Sequence, residues 1–309
     1  MYVKPEGGED FIRCSLRGKF KIENRLKKDK MFILDVIAVG DYVSISMEKD
    51  GTGVIEEILT RDNYLSRKAP KLKGGSYRGE RFEQIIAANI TQVIVVFSTV
   101  SPSFNNRSLD RFLVAAESSQ IKPMIVINKM DLLFPEERRV FEEIRDIYTD
   151  LNYPVFLTSA VTNEGIPELR EQLESECSFV WGHSGVGKSS LFNVLYPGLN
   201  FQTGEVSNFS NKGIHTTVTV SLHDVNTSTQ IIDSPGIREI DPYGITKEDL
   251  CHYFREFEPY FGQCRFTRCT HTHEPDCAIR DAVESGEITA DRYESYTNIY
   301  QTMEEDLYF

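Results

Sequence analysis

Apolar and polar positions alternate in short bursts through the first sixty residues, and Gly, Asp or Lys interrupts the alternation every few positions. Val39-Gly-Asp-Tyr-Val43-Ser-Ile45-Ser-Met47 is one such burst, Lys49-Asp-Gly51-Thr-Gly53 supplies a turn, and Val54-Ile55 opens the next. Period-two patterning punctuated by turn residues predicts half-buried strands, here a small antiparallel barrel over residues 10–60. Residues 61–81 hold seven basic residues and the pair Gly74-Gly75. That composition suits a flexible connector, either a plain linker or a segment that orders against a phosphate backbone.

From about residue 83 the texture changes. Gln92–Phe97, Pro123–Ile127, Val155–Leu157 and Ser178–Trp181 are short apolar runs that read as buried strands. Between them, Leu109–Ser118, Glu136–Thr149 and Pro167–Leu173 have helical periodicity, and Lys188–Leu195 continues as helix after a glycine-rich loop. Strands and helices in strict alternation predict a parallel, doubly wound sheet, which Val218–Val225 and Gln230–Asp233 complete as paired strands. Beyond about residue 246 the chain reads as helical and cysteine-bearing. The expected organisation is therefore 1–82, 83–245 and 246–309.

Composition narrows the class. The 309 residues are 40% hydrophobic, which suits a globular protein of two or three domains. No apolar run approaches the ~20 residues that span a bilayer, and the opening residues lack the apolar core of a signal peptide; a cytoplasmic protein without a membrane role, acting as a monomer, is expected. The net charge of -13 is uneven. Residues 1–81 hold 17 Lys/Arg against 13 Asp/Glu, whereas the remaining residues hold 17 against 34. Any RNA contact is therefore expected at the amino-terminal portion.

Two motifs then fix the chemistry. Gly182-His183-Ser184-Gly185-Val186-Gly187-Lys188-Ser189 follows a predicted strand and opens a predicted helix, the context in which backbone amides and a helix amino terminus hold phosphates. Lys188 is expected on the β- and γ-phosphates and Ser189 on Mg²⁺. Asn128-Lys129-Met130-Asp131 reads a base: the Asp131 carboxylate can accept from both N1–H and the 2-amino group of guanine, whereas adenine offers an acceptor at N1 and nothing at C2. Asn128 would brace this loop, the Lys129 stem would cover the base, and amides near Ser159 and Ala160 would bind the guanine O6. The base motif precedes the phosphate motif, the reverse of the usual order, so the nucleotide is expected in a circularly permuted P-loop GTPase domain.

Asp233-Ser-Pro-Gly236 gains weight from its place at a strand's carboxyl end, with Asp233 on Mg²⁺ through water and the Gly236 N–H on the γ-phosphate. Between the two phosphate elements lies Gly213-Ile-His215-Thr216-Thr217, where either threonine could complete the Mg²⁺ shell; Thr217 is the assignment adopted. Ile237 stands where Ras-like GTPases carry the water-orienting glutamine, so slow unaided turnover is expected, with His215 the candidate to position water.

Cys264-x4-Cys269-x-His271-x5-Cys277 offers three thiolates and an imidazole, a set suited to one structural, tetrahedral Zn²⁺. His273 could replace His271, and Cys251 sits close enough to compete. Cys14 and Cys177 read as buried thiols in strand-like segments. Two other readings are compatible with a phosphate loop: an RNA remodeller acting on some other RNA, and a P-loop kinase, against which Asp131 speaks.

The base motif ahead of the phosphate loop, Asp-Ser-Pro-Gly behind it, Ile237 in the glutamine position, the amino-terminal barrel and the Cys/Cys/His/Cys tail together resemble the RsgA family of circularly permuted GTPases. The resemblance spans nearly the whole chain. It implies that the barrel is an OB-fold, that Asn128, Lys129, Asp131 and the run from Gly182 to Ser190 bind GTP or GDP, and that Cys264, Cys269, His271 and Cys277 bind zinc in a small helical domain. It also implies a partner, the small ribosomal subunit with its rRNA, which is bound late in assembly and stimulates hydrolysis. The chain departs from the family's usual Gly-Arg-His-Thr-Thr-Thr, with Ile214 in place of the arginine and Val218 in place of the third threonine.

Overall fold

The computed structural model describes residues 1–8, 10–18, 20, 36–68, 83–199, 201, 220–234 and 243–303. Gly213, Ile214, His215, Thr216, Thr217, Val218, Gly236 and Ile237, all named above, lie outside the described residues, as does most of the basic connector. The chain divides into two units, Met1–Ile90 and Thr91–Phe309.

In the first unit, β1 (Tyr2–Val3), β2 (Ile12–Leu16), β3 (Val43–Met47) and β4 (Gly53–Ile58) form one sheet in the order β1-β2-β4-β3. The turn joining β3 to β4 closes through Glu48 and Thr52, and the two strands pair antiparallel. β2 and β4 pair in parallel, so the sheet is mixed where alternation alone suggests antiparallel strands throughout. The reason is strand order: β3 and β4 form a hairpin in which β4, not β3, is the neighbour of β2, so β2 and β4 run the same way. Cys14, Phe20 and Ile55 are buried at the centre, with Ile12, Val43, Ile45 and Ile58 packed on them. Part of the segment that reads as connector is strand: β5 (Tyr64–Lys68) pairs antiparallel with β6 (Glu83–Ala88), which carries the first unit past residue 82 to Ile90. Gly40 must be glycine, because its φ is +89° and a Cβ there would lie 2.1 Å from the Ala88 carbonyl oxygen.

The second unit is built on six strands: β7 (Gln92–Ser98), β8 (Lys122–Asn128), β9 (Val155–Leu157), β10 (Cys177–Trp181), β11 (Ser221–Asp224) and β12 (Gln230–Asp233). Their order is β11-β12-β10-β7-β8-β9, all parallel except β11 on the edge. Every residue of β7 is buried, the signature of a strand covered on both faces, so it is continuously apolar rather than alternating. The intervening helices are α1 (Asn106–Ser118), α2 (Pro135–Asp150), α3 (Ile166–Leu173) and α4 (Lys188–Leu195). α1 starts earlier than its apolar periodicity suggests because the Asn105 side chain caps it, accepting from the Ser108 amide at 2.9 Å.

Residues beyond the sheet form two 3₁₀ turns, Leu250–Tyr253 and Arg255–Tyr260, then α5 (Ala278–Ser285) and α6 (Ala290–Thr302). Their own core of Leu250, Phe254, Phe257, Ile279, Tyr296 and Ile299 also takes in Val114 of α1. A buried ionic seam reinforces that contact. Arg292 on α6 pairs with Asp110 on α1 and with Glu256, and Tyr148 of α2 donates to Asp110 at 2.6 Å. Burial works against the Arg292 charge, but the two carboxylates outweigh it and hold its pKa well above the usual value. Such a triad fixes register strongly, because removing one member strands a buried charge at a cost of about 3–5 kcal/mol. Among the described residues, no helix is long and apolar enough to cross a membrane.

Candidate functional site

The parallel strands point their carboxyl ends to one edge of the sheet, where open α/β folds bind ligands. β10 stops at Trp181, and the chain must turn at once: Gly182 has φ +147°, and a Cβ there would lie 2.2 Å from the Val96 carbonyl oxygen. Gly185 and Gly187 follow with φ +84° and +93°, Val186 is buried between them, and Ser184 is exposed. α4 then begins at Lys188, with Ser189 half-buried and Ser190 exposed on its first turn. A glycine loop ahead of a helix amino terminus is an anion-binding concavity. Lys188 is folded back over it, its Nζ donating to the carbonyls of Gly182 at 2.7 Å and His183 at 2.9 Å. Burial pushes the Lys188 ammonium below its usual range, and Asp233 pulls it the other way. Asp233 itself is raised by burial against the opposing charges of Lys188 and His223. It ends β12, in register with Val180 of β10, so this carboxylate stands at the base of the phosphate loop.

The base-reading motif arrives from β8. Asn128 is its last residue, 2% exposed, and its Nδ2 donates to the Val186 carbonyl at 3.1 Å while Thr158 Oγ1 donates to its Oδ1 at 3.3 Å. The fit against the phosphate loop is so close that a Cβ on Gly187 would lie 2.5 Å from Asn128 Nδ2. Lys129 takes a left-handed conformation, φ +70°, and its Nζ donates to the Gly185 carbonyl at 2.6 Å. Two motifs written far apart in the chain thus share hydrogen bonds. Asp131 Oδ1 accepts from Ser159 Oγ at 2.6 Å, and that oxygen in turn accepts from the amides of Val161 and Thr162, both at 3.1 Å; Ala160 lies half-buried within this turn. Ser159 thus ties the Asp131 carboxylate to the amides of the following turn, holding the two loops together.

Cys264, Cys269, His271 and Cys277 converge in the second unit, their ligand atoms all within 4.8 Å of one another. Cys264 Sγ lies 3.9 Å from Cys277 Sγ and 3.6 Å from His271 Nδ1, which is 3.4 Å from Cys277 Sγ. Tetrahedral coordination with metal–sulfur bonds near 2.3 Å and metal–nitrogen bonds near 2.0–2.1 Å implies edges of about 3.8 Å and about 3.5 Å, so the donors fit a single small cation. Of the two histidines, His271 is the one grouped with the sulfurs, whereas His273 is turned out with 80% of its side chain exposed. Cys251 is buried but stands outside the group. Burial, together with the neighbouring Cys277 and Cys264 sulfurs, pushes the Cys269 thiol up to about 12. Burial likewise lowers His271, which favours a neutral imidazole ligand. Tyr293 and Tyr296 donate to the carbonyls of His271 and Thr270 at 2.8 and 2.7 Å and so hold the loop on α6.

Three features of the site escape motif reading. The His183 ring leaves the phosphate loop sideways to meet Ser108 of α1. Arg138 bridges the two base-reading loops, pairing with Glu164 and reaching the Met130 carbonyl, while the Ser159 amide donates to the Glu164 carbonyl at 3.0 Å. The third is the Arg292 seam. Each joins residues far apart in sequence, and no local pattern marks them.

A family model described as RsgA GTPase matches residues 58–243, more than half of the chain. The chain is 37% identical over 306 residues to the small ribosomal subunit biogenesis GTPase RsgA of Phocaeicola vulgatus, covering 99% of this chain and 94% of that one. It is 39% identical over 298 residues to the protein of the same name from Thermotoga maritima, covering 96% and 91%. Among solved structures it is similar to YjeQ from Thermotoga maritima, with a TM-score of 0.75 at 36% identity over 98% of this chain and 93% of that one. It is also similar to YloQ, described as a circularly permuted GTPase, with a TM-score of 0.67 at 29% identity over 98% and 90%.

Proposed function

The chain belongs to the RsgA GTPase family, and on that premise we propose that it hydrolyses GTP in the service of small ribosomal subunit maturation. The observation that carries the reading is the Asn128–Val186 hydrogen bond with the tight Gly187 contact, which supports a single site where base loop and phosphate loop meet. In this reading Asp131, oriented by Ser159, selects guanine, and Lys129 and Asn128 brace the loop around it. The run Gly182–Ser190 wraps the phosphates. Lys188, now bonded to its own loop's carbonyls, turns toward the β- and γ-phosphates on nucleotide binding.

Ser189, Asp233 and Thr217 would hold Mg²⁺, which neutralises charge developing on the transferred phosphoryl group. Gly236 would donate to the γ-phosphate and His215 would orient water, because Ile237 has no group that can. The absence of a water-orienting side chain at 237 supports slow turnover until a partner completes the site. That partner is the small subunit, contacted through rRNA by the first unit, read as an OB-fold over 1–82, and by the tail over 246–309. The Cys/His cluster holds a structural zinc: four protein donors leave no open coordination position, and a metal would tie down a loop of little regular structure beside the tail's own core. The protein works in the cytoplasm as a monomer.

Hydrolysis measured with and without purified small subunits tests the assignment. Low basal turnover rising at least tenfold, on the scale that partner-completed GTPase sites show, is the expected result. Equal rates in both conditions, with no co-sedimentation in the presence of a GTP analogue, would remove the ribosomal role while leaving the GTPase.

A further inference from the structure

The side chain of His183 does not face the space where phosphates belong. Its ring lies edge-on to Phe97 and Phe112, with centroids 5.7 and 5.6 Å away, and its Nε2 is 2.7 Å from Ser108 Oγ. Its backbone carbonyl meanwhile accepts from Lys188 Nζ at 2.9 Å. One residue therefore grips α1 with its side chain and the phosphate-binding lysine with its main chain.

That double grip matters because the loop has little stiffness of its own. Glycines at 182, 185 and 187, all at positive φ, give the backbone wide freedom in the absence of an outside tether. Gly182 is fixed against Val96 and Gly187 against Asn128, and the Gly185 and Val186 carbonyls are held by Lys129 and Asn128, which leaves His183 and Ser184 to be placed by other means. α1 is a firm anchor: Asp110, half a turn beyond Ser108, is bonded into the buried seam with Arg292. The Ser108 hydroxyl can donate or accept, so the tie to His183 holds for either imidazole tautomer.

We propose that His183 is a positioning residue for GTP binding and hydrolysis, tying the phosphate loop to α1 through Ser108 and thereby fixing the reach of Lys188. This rests on the reading of Gly182–Ser190 as the GTP phosphate loop. His183 stays out of the chemistry itself; its effect passes through the Lys188–carbonyl contact.

The test uses the full-length protein and its Ser108→Ala, His183→Ala, His183→Gln and Ser108→Ala/His183→Ala forms, titrated with fluorescent GDP and assayed for GTP hydrolysis. Ser108→Ala and His183→Ala should each weaken GDP binding and lower kcat/KM by about three- to tenfold, the value of one well-placed hydrogen bond. The double variant should lose no more than the worse single one, because both remove the same tie. His183→Gln, whose amide can still bond Ser108, should recover most of the loss. Ser108→Ala removes one half-buried oxygen, so its urea midpoint should stay with the wild type while its affinity falls. Wild-type binding by Ser108→Ala, additive losses in the double variant, or a glutamine as damaging as alanine would each overturn the proposal. Failure of the wild type itself to bind GDP would instead overturn the GTPase reading beneath it.

Discussion

The nucleotide loops and the cysteine cluster belong to one unit yet are held in place by opposite means. Asn128, Gly182 and Asp233 stand at the ends of β8, β10 and β12, strands whose apolar residues are almost wholly buried. Their positions follow from a sheet that hydrophobic burial stabilises by about 1.5–3 kcal/mol for each large side chain, whether or not a ligand is bound. The four metal-site residues sit in a loop of little regular structure between a 3₁₀ turn and α5, with His271 and Asp276 at φ +60° and +54°. Buried sulfur atoms pressed together in this way favour protonated thiols unless a cation joins them, as the elevated Cys269 shows. The loops at the strand ends are a backbone shape prepared in advance, whereas the cluster is a set of side chains whose spacing suits a cation.

Removing the metal is the severest way to break that comparison. Cys277→Ser, or an excess of chelator, should abolish equimolar zinc binding and unfold the tail, since structural zinc supplies on the order of 10 kcal/mol in small domains. Hydrogen exchange should show residues 250–303 losing protection while β7, β8 and β10 keep theirs. GDP affinity should drop by no more than about tenfold, the range set for the single tie through α1. Collapse of GDP binding together with the tail would show that the nucleotide site is not independently folded.

Asp131→Asn comes next in size. Two hydrogen bonds to a charged acceptor are together worth about 4 kcal/mol, so GTP competition against labelled GDP should weaken on the order of a thousandfold. Xanthosine triphosphate, with a carbonyl where guanine has its 2-amino group, should gain in the same assay. Unaltered preference would mean that Asp131 does not read the base. Zinc content should stay unchanged in this variant.

Gly187→Ala probes the backbone shape directly. A left-handed conformation costs alanine about 1–2 kcal/mol, and the added methyl would press on Asn128 Nδ2. GDP binding should fall about ten- to a hundredfold in titration, with the thermal midpoint of the tail untouched. A neutral result would show that the two loops need not meet as closely as they do here.

Much of this architecture is legible in the primary structure because the forces behind it are local. β9 at Val155–Leu157, α4 at Lys188–Leu195 and β12 at Gln230–Asp233 coincide with the apolar runs and helical periodicities that mark them, and the other elements of the sheet differ by a few residues at their ends. The phosphate loop and the cysteine spacing are legible for the same reason, since their donors lie within one short stretch. The residues that determine geometry between stretches are not. Nothing in the alternation of residues 10–60 indicates that β2 pairs with β4 in parallel, and nothing marks Tyr64–Lys68 as strand inside a basic, glycine-bearing segment. His271 and His273 are equal candidates by spacing, and only the left-handed turn at 271 separates them, sending one ring to the sulfurs and the other to solvent.

The amino-acid sequence by itself determined the main elements of the large sheet, the permuted order of the motifs and the donor set of the tail. Periodicity, glycine and cysteine act over a few residues, and their consequences survive whatever surrounds them. Tertiary structure alone decided that Asn128 bonds Val186, that Ser108 bonds His183 and that Arg292 lies between Asp110 and Glu256. Each of those contacts joins positions chosen by the packing of helices on a sheet, where a buried polar group must find its partner in space and has no means of specifying it along the chain.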